Sequence, residues 1–409
     1  MKKRAISLAI ALAGSVVSGQ TVLANEVGDL KIQIDELQKR LEMVEQADEK
    51  VVKSKKKGVT VQISGQVNRG IQLADDGVEN YTNFVDSDNS STRVRFIADA
   101  PLTDALSLGA AIEMQVESNS TFNMNQTNSE SSSGSGTASF TERRLEVMLT
   151  HKDLGKLWLG QGWSASDGTA ESDLSGTALA ASSFQGHAAG FYFRDAAGNV
   201  ASDDAGDGTI DSVYYLGDSF DGLSRTDRLR YDTPSFGGFS LATSLAQGDR
   251  WDLAARYNGK VGGSKISASL GYADAESNDS SGYDSSLSGS VSVLFPSGFN
   301  VTLASSSKDL REGSALANNN ADPQFYYTKL GYQADLFSIG KTSFSVDYVL
   351  GDEQQEAGEE MKGYGFQAVQ KIQQYGTELY FALSRYDRES MDTEYQSLTV
   401  GMLGARVKF

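Results

Sequence analysis

From Val59 to Phe409 the chain is written with a period of two, and that pattern restricts what it can fold into. In VTVQISGQV the apolar residues Val59, Val61, Ile63 and Val67 alternate with Thr60, Gln62, Ser64 and Gln66. Val94, Phe96 and Ala98 alternate with Arg93, Arg95 and Asp99; Leu108, Ala110, Ile112, Met114 and Val116 alternate with Glu113, Gln115 and Glu117. Leu145, Val147 and Leu149 alternate with Arg144, Glu146 and Met148, and Leu287, Val291, Val293 and Phe295 with Ser286, Ser288, Ser290 and Ser292. Successive side chains of a strand point to opposite faces, so each segment reads as a strand with one apolar and one polar face. The pattern runs to the last residue: Phe409, Val407, Ala405, Leu403 and Gly401 share one parity, and Lys408, Arg406 and Gly404 the other.

The joints alternate as well. Tight connections such as DAPLTDA, HKDLGK, TPSFGGF, NGKVGG, FPSGF and QQYGT carry turn residues, while long polar connections such as DDGVENYTNFVDSDNSS and SKDLREGSALANNNADP lie between them. About sixteen strands result, an even number that returns the last strand to the first and lets the sheet close. A soluble β-sandwich would show the same alternation. Three features favour a membrane barrel: a strongly polar second face on nearly every strand, aromatics near strand ends on the apolar face (Trp251 with Tyr257, Tyr326 with Tyr332, and Phe299), and short turns on one side with long loops on the other. Segments of about ten tilted residues span a bilayer, and closure leaves no unpaired backbone edge in lipid. The expected fold is therefore all-β, a transmembrane antiparallel barrel over residues 59–409, with its apolar face toward lipid and its polar face toward a water-filled lumen.

The segment before it reads differently. Residues 1–24 have a basic head (Lys2, Lys3, Arg4), an apolar run from Ala5 to Val17 and the small-residue site Val22-Leu23-Ala24, the marks of a secretory signal peptide. In residues 25–46, Val27, Leu30, Ile34, Leu37, Leu41 and Val44 form an a/d seam over nearly three heptads, the core of a short coiled-coil helix expected in the periplasm. A helix this short is marginal alone, which implies partners; one amphipathic helix lying on its own protein is the other reading. RLEMVE (40–45) resembles the Arg-hydrophobic-x-x-hydrophobic-Glu pattern of three-stranded coiled coils. Residues 47–58, with Lys50, Lys53, Lys55, Lys56 and Lys57, read as a basic linker, either a solvated tether or a collar near an anionic periplasmic polymer. A net charge of −18 argues against a nucleic-acid partner, and the absence of cysteine excludes a disulfide framework.

The stretches STRVRFIADAPLTDAL, ERRLEVMLTHKDLGKLWLGQG, RLRYDTPSFGGFSLATSL and the terminal RVKF resemble the general trimeric porins of Gram-negative outer membranes, over about residues 58–409. The resemblance implies a homotrimer in the outer-membrane bilayer that passes small hydrophilic solutes by diffusion. It implies that the C-terminal Phe409 is a sorting signal for the barrel-assembly machinery. It also implies that the third long loop, about 163–222, folds back into the lumen and narrows it. That loop carries Asp167, Glu171 and Asp173. Strand parity places Arg93, Arg95, Arg144, Arg228, Arg230 and Arg256 on the polar face, with Glu142 and Glu146 as candidate neighbours that would neutralise them. An acidic loop opposite a basic wall would set up a transverse field at the constriction and a charge preference.

No enzyme is expected: His151 and His187 are the two histidines, and no serine stands in a nucleophile motif. No cofactor is expected either. Asp203, Asp207 and Asp211, spaced by glycines, are a weak Ca²⁺ candidate that lacks the full loop pattern. Within channels, a substrate-specific porin for small anions such as carboxylates is the alternative, motivated by the arginines. Of a different class is a structural anchor that ties the membrane to the cell wall through the coiled coil.

Overall fold

The computed structural model describes residues 51–53, 58–128, 139–200, 212–275, 282–314, 321–391 and 393–409. The expected signal peptide, coiled-coil seam and weak Ca²⁺ candidates Asp203, Asp207 and Asp211 lie outside the described residues. The strands that concern function all belong to the unit Ser54–Phe409.

Its described residues form a closed antiparallel barrel of sixteen strands. In chain order these are β1 Thr60–Asp75; β2, in two segments, Asn80–Asp86 and Arg93–Pro101; β3 Leu106–Glu117; β4 Ser139–His151; β5 Gly155–Trp163; β6 Arg225–Asp232; β7 Phe239–Ala246; and β8 Arg250–Val261. The second half is β9 Ser264–Asp274, β10 Tyr283–Leu294, β11 Phe299–Leu310, β12 Gln324–Phe337, β13 Gly340–Asp352, β14 Glu360–Ile372, β15 Thr377–Glu389 and β16 Leu398–Lys408. Each strand pairs with its neighbours in sequence, and β16 pairs with β1 from Thr399↔Asp75 to Lys408↔Gln66. Among the described residues no helix is long and apolar enough to cross a membrane; the crossing elements are strands.

The two faces decide between barrel and sandwich. Leu108, Ile112, Leu145, Val147, Leu229, Leu245, Leu253, Leu270, Leu303 and Leu403 are exposed around the outside. Glu113, Ser244, Ser288, Ser292, Asn300, Thr302 and Gln367 are buried inside. A water-soluble sandwich hides its apolar face; here it is turned outward as a continuous band, which suits lipid. Trp251, Phe299, Tyr326 and Tyr332 are outward and exposed toward strand ends, as an interfacial aromatic girdle requires.

Departures from simple alternation include two that shape the lumen wall. The long polar connection expected after β1 contains the first segment of β2. Tyr81, Asn83 and Val85 are buried while Thr82 and Phe84 are exposed, a period of two hidden among polar residues. Between the two segments the chain makes a short excursion that includes the 3-10 turn Asp88–Ser90. The Gln66 side chain donates to the Ser90 and Ser91 carbonyls, at 2.9 Å each, and Asn68 donates to those of Ser87 at 3.2 Å and Ser90 at 3.0 Å. Inward amides of β1 thus supply the donors that a continuous ladder would have supplied. The second feature is on the inner face near the loop ends of β12 to β16. Phe325, Tyr327, Val349, Met361, Leu398 and Val400 point inward and are buried, so the inner wall there is not polar.

The ring closes at Phe409. Its carbonyl accepts from the Gly65 N–H at 2.8 Å, and its N–H donates to the Gly65 carbonyl at 3.1 Å. The Phe409 ring lies over Gly65: a Cβ added there would stand 2.6 Å from the ring and 2.7 Å from the Arg93 carbonyl oxygen. A side chain at this position must displace both the ring and a backbone carbonyl of the neighbouring strand. Gly65→Val is therefore expected to destabilise the folded barrel by about 1–3 kcal/mol, the usual cost of overpacking. Urea unfolding in lipid vesicles, followed by tryptophan fluorescence, measures it; an unchanged midpoint would show that the seam adapts without cost.

Candidate functional site

The longest connection, residues 164–224 between β5 and β6, turns into the barrel. Its base is fastened by three of the arginines assigned to the polar face. Arg228 donates to the carbonyls of Trp163 at 2.8 Å and Gly160 at 2.6 Å, and its third contact is to Glu146 at 2.5 Å. Arg230 donates to the Ser164 carbonyl at 2.6 Å, and Arg256 to those of Ala165 and Asp167 at 2.8 Å each. The buried Asp252 accepts from the Ser166 N–H at 2.8 Å and its hydroxyl at 2.6 Å.

From there the loop follows the inner wall. The serines of β10 receive it: Thr169 and Ser288 hydroxyls stand 2.6 Å apart, Ser290 accepts from the Ser172 N–H at 2.9 Å, and Ser292 from the Leu174 N–H at 2.8 Å. Small hydroxyl side chains let the loop backbone lie against the wall and still find hydrogen-bond partners. Thr177 meets Ser345 on β13, and His187 meets Ser384 on β15 at 2.9 Å. Gln72 of β1 donates to the His187 carbonyl at 2.8 Å. His187 is fully buried, and burial pushes its pKa down to about 3, so the ring is neutral. The returning limb carries the short helix α1, Val213–Leu216, and joins the inward apolar residues of β12 to β16 in an apolar core inside the barrel through Phe191, Phe193, Leu216 and Phe220.

The loop therefore occupies the side of the lumen bounded by β9 to β16. Opposite it remains a cavity of about 780 Å³. On the wall this cavity is lined by Asp88, Arg93, Glu117, Arg143 and Arg225, and by Lys308 of β11; on the loop it is lined by Asp167, Glu171, Asp218 and Asp221. The basic side is built on one carboxylate. Glu113, fully buried, takes Arg95 at 2.6 Å, Arg143 at 2.9 Å and Arg93 at 3.5 Å. Three guanidiniums share the one Glu113 carboxylate, which makes this patch of wall rich in positive charge beside Asp88 and Glu117.

The acidic side is crowded. Asp221 is raised well above the usual carboxylate range by burial and by the negative charges of Glu171 and Asp167. Glu171 is open to the cavity yet enclosed by protein at longer range, and that desolvation, with Asp167 beside it, raises its pKa to about 7. Asp167 is raised by burial too, against the pull of Arg225. Like charges this close cannot all ionise at neutral pH.

The site residues expected from sequence divide accordingly. Arg93, Asp167 and Glu171 line the cavity. Arg95 stands behind them on Glu113. Arg144 lies on Glu146 at 2.6 Å and against the ring faces of Trp158 and Trp163, while Arg228, Arg230 and Arg256 hold the base of the loop. Asp173 faces the wall, where it pairs with the fully buried Lys329 at 2.9 Å; Lys329 also donates to the Ala181 carbonyl. Splitting such a buried pair costs about 3–5 kcal/mol, so Asp173 acts as a fastening. Of the two glutamates named as neutralising neighbours, Glu146 takes Arg144 and Arg228, while Glu142 is exposed.

Sequence parity missed Arg143 and Arg225. Between β3 and β4 the register jumps from Glu113↔Arg144 to Met114↔Glu142, so Arg143 is the extra residue of a bulge. The bulge turns Arg143 and Arg144 inward together, which strict alternation forbids. Arg225 is the first residue of β6, where the loop ends and parity is not yet established. The doublet ERR was the one available signal.

The geometry defines a class: a closed membrane barrel whose lumen is narrowed by an inserted loop and lined by opposed charges, a channel. The sequence belongs to the Gram-negative porin family, which it matches over residues 8–390. It is an outer-membrane porin. No curated protein matches it by sequence. Among solved structures it resembles an anion-selective porin from Comamonas acidovorans, with 16% identity, 86% of this chain and 100% of that one covered, and a TM-score of 0.54. It also resembles the outer membrane channel DcaP of Acinetobacter baumannii, at 13% identity, 88% and 99% coverage and a TM-score of 0.53. A third is the trimer form of OmpT from Vibrio cholerae, at 13% identity, 86% and 100% coverage and a TM-score of 0.52. At these identities the likeness is one of fold.

The loop carboxylates can be tested by titration. Their pKa values are raised, so they are ionised above the shifted value and gain protons as pH falls through it. Between pH 8 and pH 6 Glu171 should take up a proton, the loop should lose negative charge, and the reversal potential under a salt gradient should move toward anion preference. Glu171→Gln should remove most of this movement. An equal pH dependence in wild type and variant would place the titrating group elsewhere.

Proposed function

We propose that the cavity between the loop and β2 to β6 is the permeation path for small hydrophilic solutes, and that its selectivity is weighted toward anions. The observation that supports this is the sharing of Glu113 by Arg93, Arg95 and Arg143, with Arg225 beside the loop. Fixed positive charge with low-dielectric walls behind it concentrates anions in a narrow passage. The loop carboxylates oppose this, but Glu171, whose pKa is raised to about 7, is partly neutral near that pH. A preference for small carboxylates is the finer form of the same reading. The reading involves no chemical reaction.

The assembly we infer is a homotrimer. Arg69, on the outer face of β1 with 42% of its side chain exposed, pairs with Asp86 at 2.5 Å and reaches Ser118 at 2.6 Å. A charged outward side chain is costly against lipid and acceptable against another protein surface. The solved trimer form of a structurally similar outer membrane protein supports the same assembly. The N-terminal segment is read as exported and periplasmic, with its heptad seam joining the three chains.

Single-channel recording in a planar bilayer tests these readings together. Openings in groups of three equal steps are expected, with an anion-sided reversal potential at pH 6. Arg143→Gln should lower the anion-to-cation permeability ratio by about two-fold or more, since it removes one of the charges that face the passage. Cation preference at pH 6 would overturn the arginine assignment. A correctly inserted protein that passes no current would instead favour the anchor.

A further inference from the structure

The cavity holds a feature that a path for ions alone does not require. Phe122, from the connection after β3, meets Phe184 and Tyr214 of the inserted loop. The ring centroids are 4.8 Å apart for Phe122 and Tyr214, 5.5 Å for Phe122 and Phe184, and 5.8 Å for Phe184 and Tyr214. All three rings line the cavity and are only half-buried. Their backbones are held in place: the Thr121 hydroxyl donates to the Gly186 carbonyl at 2.5 Å, and the Gln126 amide donates to the Tyr192 carbonyl at 2.7 Å. Three large rings are thus fixed with apolar surface turned to pore water, which is unfavourable unless something covers it.

Charges of both signs flank the rings. Asp167, Glu171 and Asp221 have no ion-pair partner within 4.0 Å among the described residues, and Arg225 has a buried Nε without a hydrogen-bond partner. Above pH 7, where Glu171 is ionised, a solute of a single charge gains from one wall and is repelled by the other. A solute with both charges gains from both, and a planar apolar group on it would cover the rings. Its ammonium would stand near the loop carboxylates and the ring faces, which attract cations, and its carboxylate near Arg225 and Arg143.

We propose that this cavity is a binding subsite for small zwitterions bearing an aromatic side group, the class of the aromatic α-amino acids. The proposal rests on the reading of the cavity as the permeation path, and the test separates the two. The full-length protein in a planar bilayer at pH 8 is exposed in turn to L-phenylalanine, L-alanine, phenylacetate and phenethylamine at equal concentration. L-Phenylalanine should interrupt the ion current with dwell times about five-fold longer than L-alanine, the size expected for one aromatic contact. It should also outlast both singly charged analogues. In Phe184→Leu and Tyr214→Leu the ratio of the phenylalanine to the alanine dwell time should fall toward one, whatever their open conductance. If a leucine variant fails to insert, the four solutes on the wild-type channel decide. A conducting channel that treats the four alike, or that keeps its phenylalanine preference in the leucine variants, overturns the subsite and leaves the path. A wild-type protein without current overturns both.

Discussion

Pairing of β16 with β1 is the constraint on which the rest depends. In lipid an unpaired strand edge leaves backbone groups with no partner, each costing several kcal/mol, so the sheet must close or not insert. Closure fixes the strand register around the ring, and the register fixes which side chain of every strand faces the lumen. At the seam this depends on a glycine, because the Phe409 ring occupies the space a side chain at position 65 would take. The inward set so defined is polar for most of the circumference, and that set receives the loop.

The lumen is thus partly an interior and partly a passage. Along β10 the serines bond to loop backbone, and Lys329 and Asp252 are buried charges matched to loop groups. Nearer the loop ends of β12 to β16 the wall becomes apolar and packs with Phe191, Phe193 and Leu216 as a soluble core would. Loop and wall on that side exclude water from each other. The cavity lies on the opposite side, where arginines gather on Glu113 and the carboxylates of the loop crowd one another.

Much of the fold was legible in the sequence because period two is a strong signal repeated along many strands. The inserted loop was placed at 163–222, against 164–224 observed between β5 and β6. What was illegible is local geometry that interrupts the period. A one-residue bulge reverses the phase of β4, so parity names Arg144 alone while Arg143 also turns inward and lines the cavity. The first segment of β2 was hidden because its outward positions include Thr82 and its inward ones Asn83. The apolar inner face of β12 to β16 was invisible because its partner is distant in sequence. The division of the arginines into those that face the cavity and those that hold the loop depends on which carbonyls the folded loop brings to them. No residue-type pattern encodes that.

The passage is eccentric, and this has a consequence for how such a channel can change over generations. All sixteen strands close the ring, and eleven of them lie outside the sector β2 to β6. The residues that line the cavity come mostly from one sector, β2 to β6, and from loop segments facing it. Substitutions in that sector can alter what is admitted while the seam, the serine wall and the apolar plug stay as they are. The cylinder is conservative architecture, and its preferences are adjustable from a small arc.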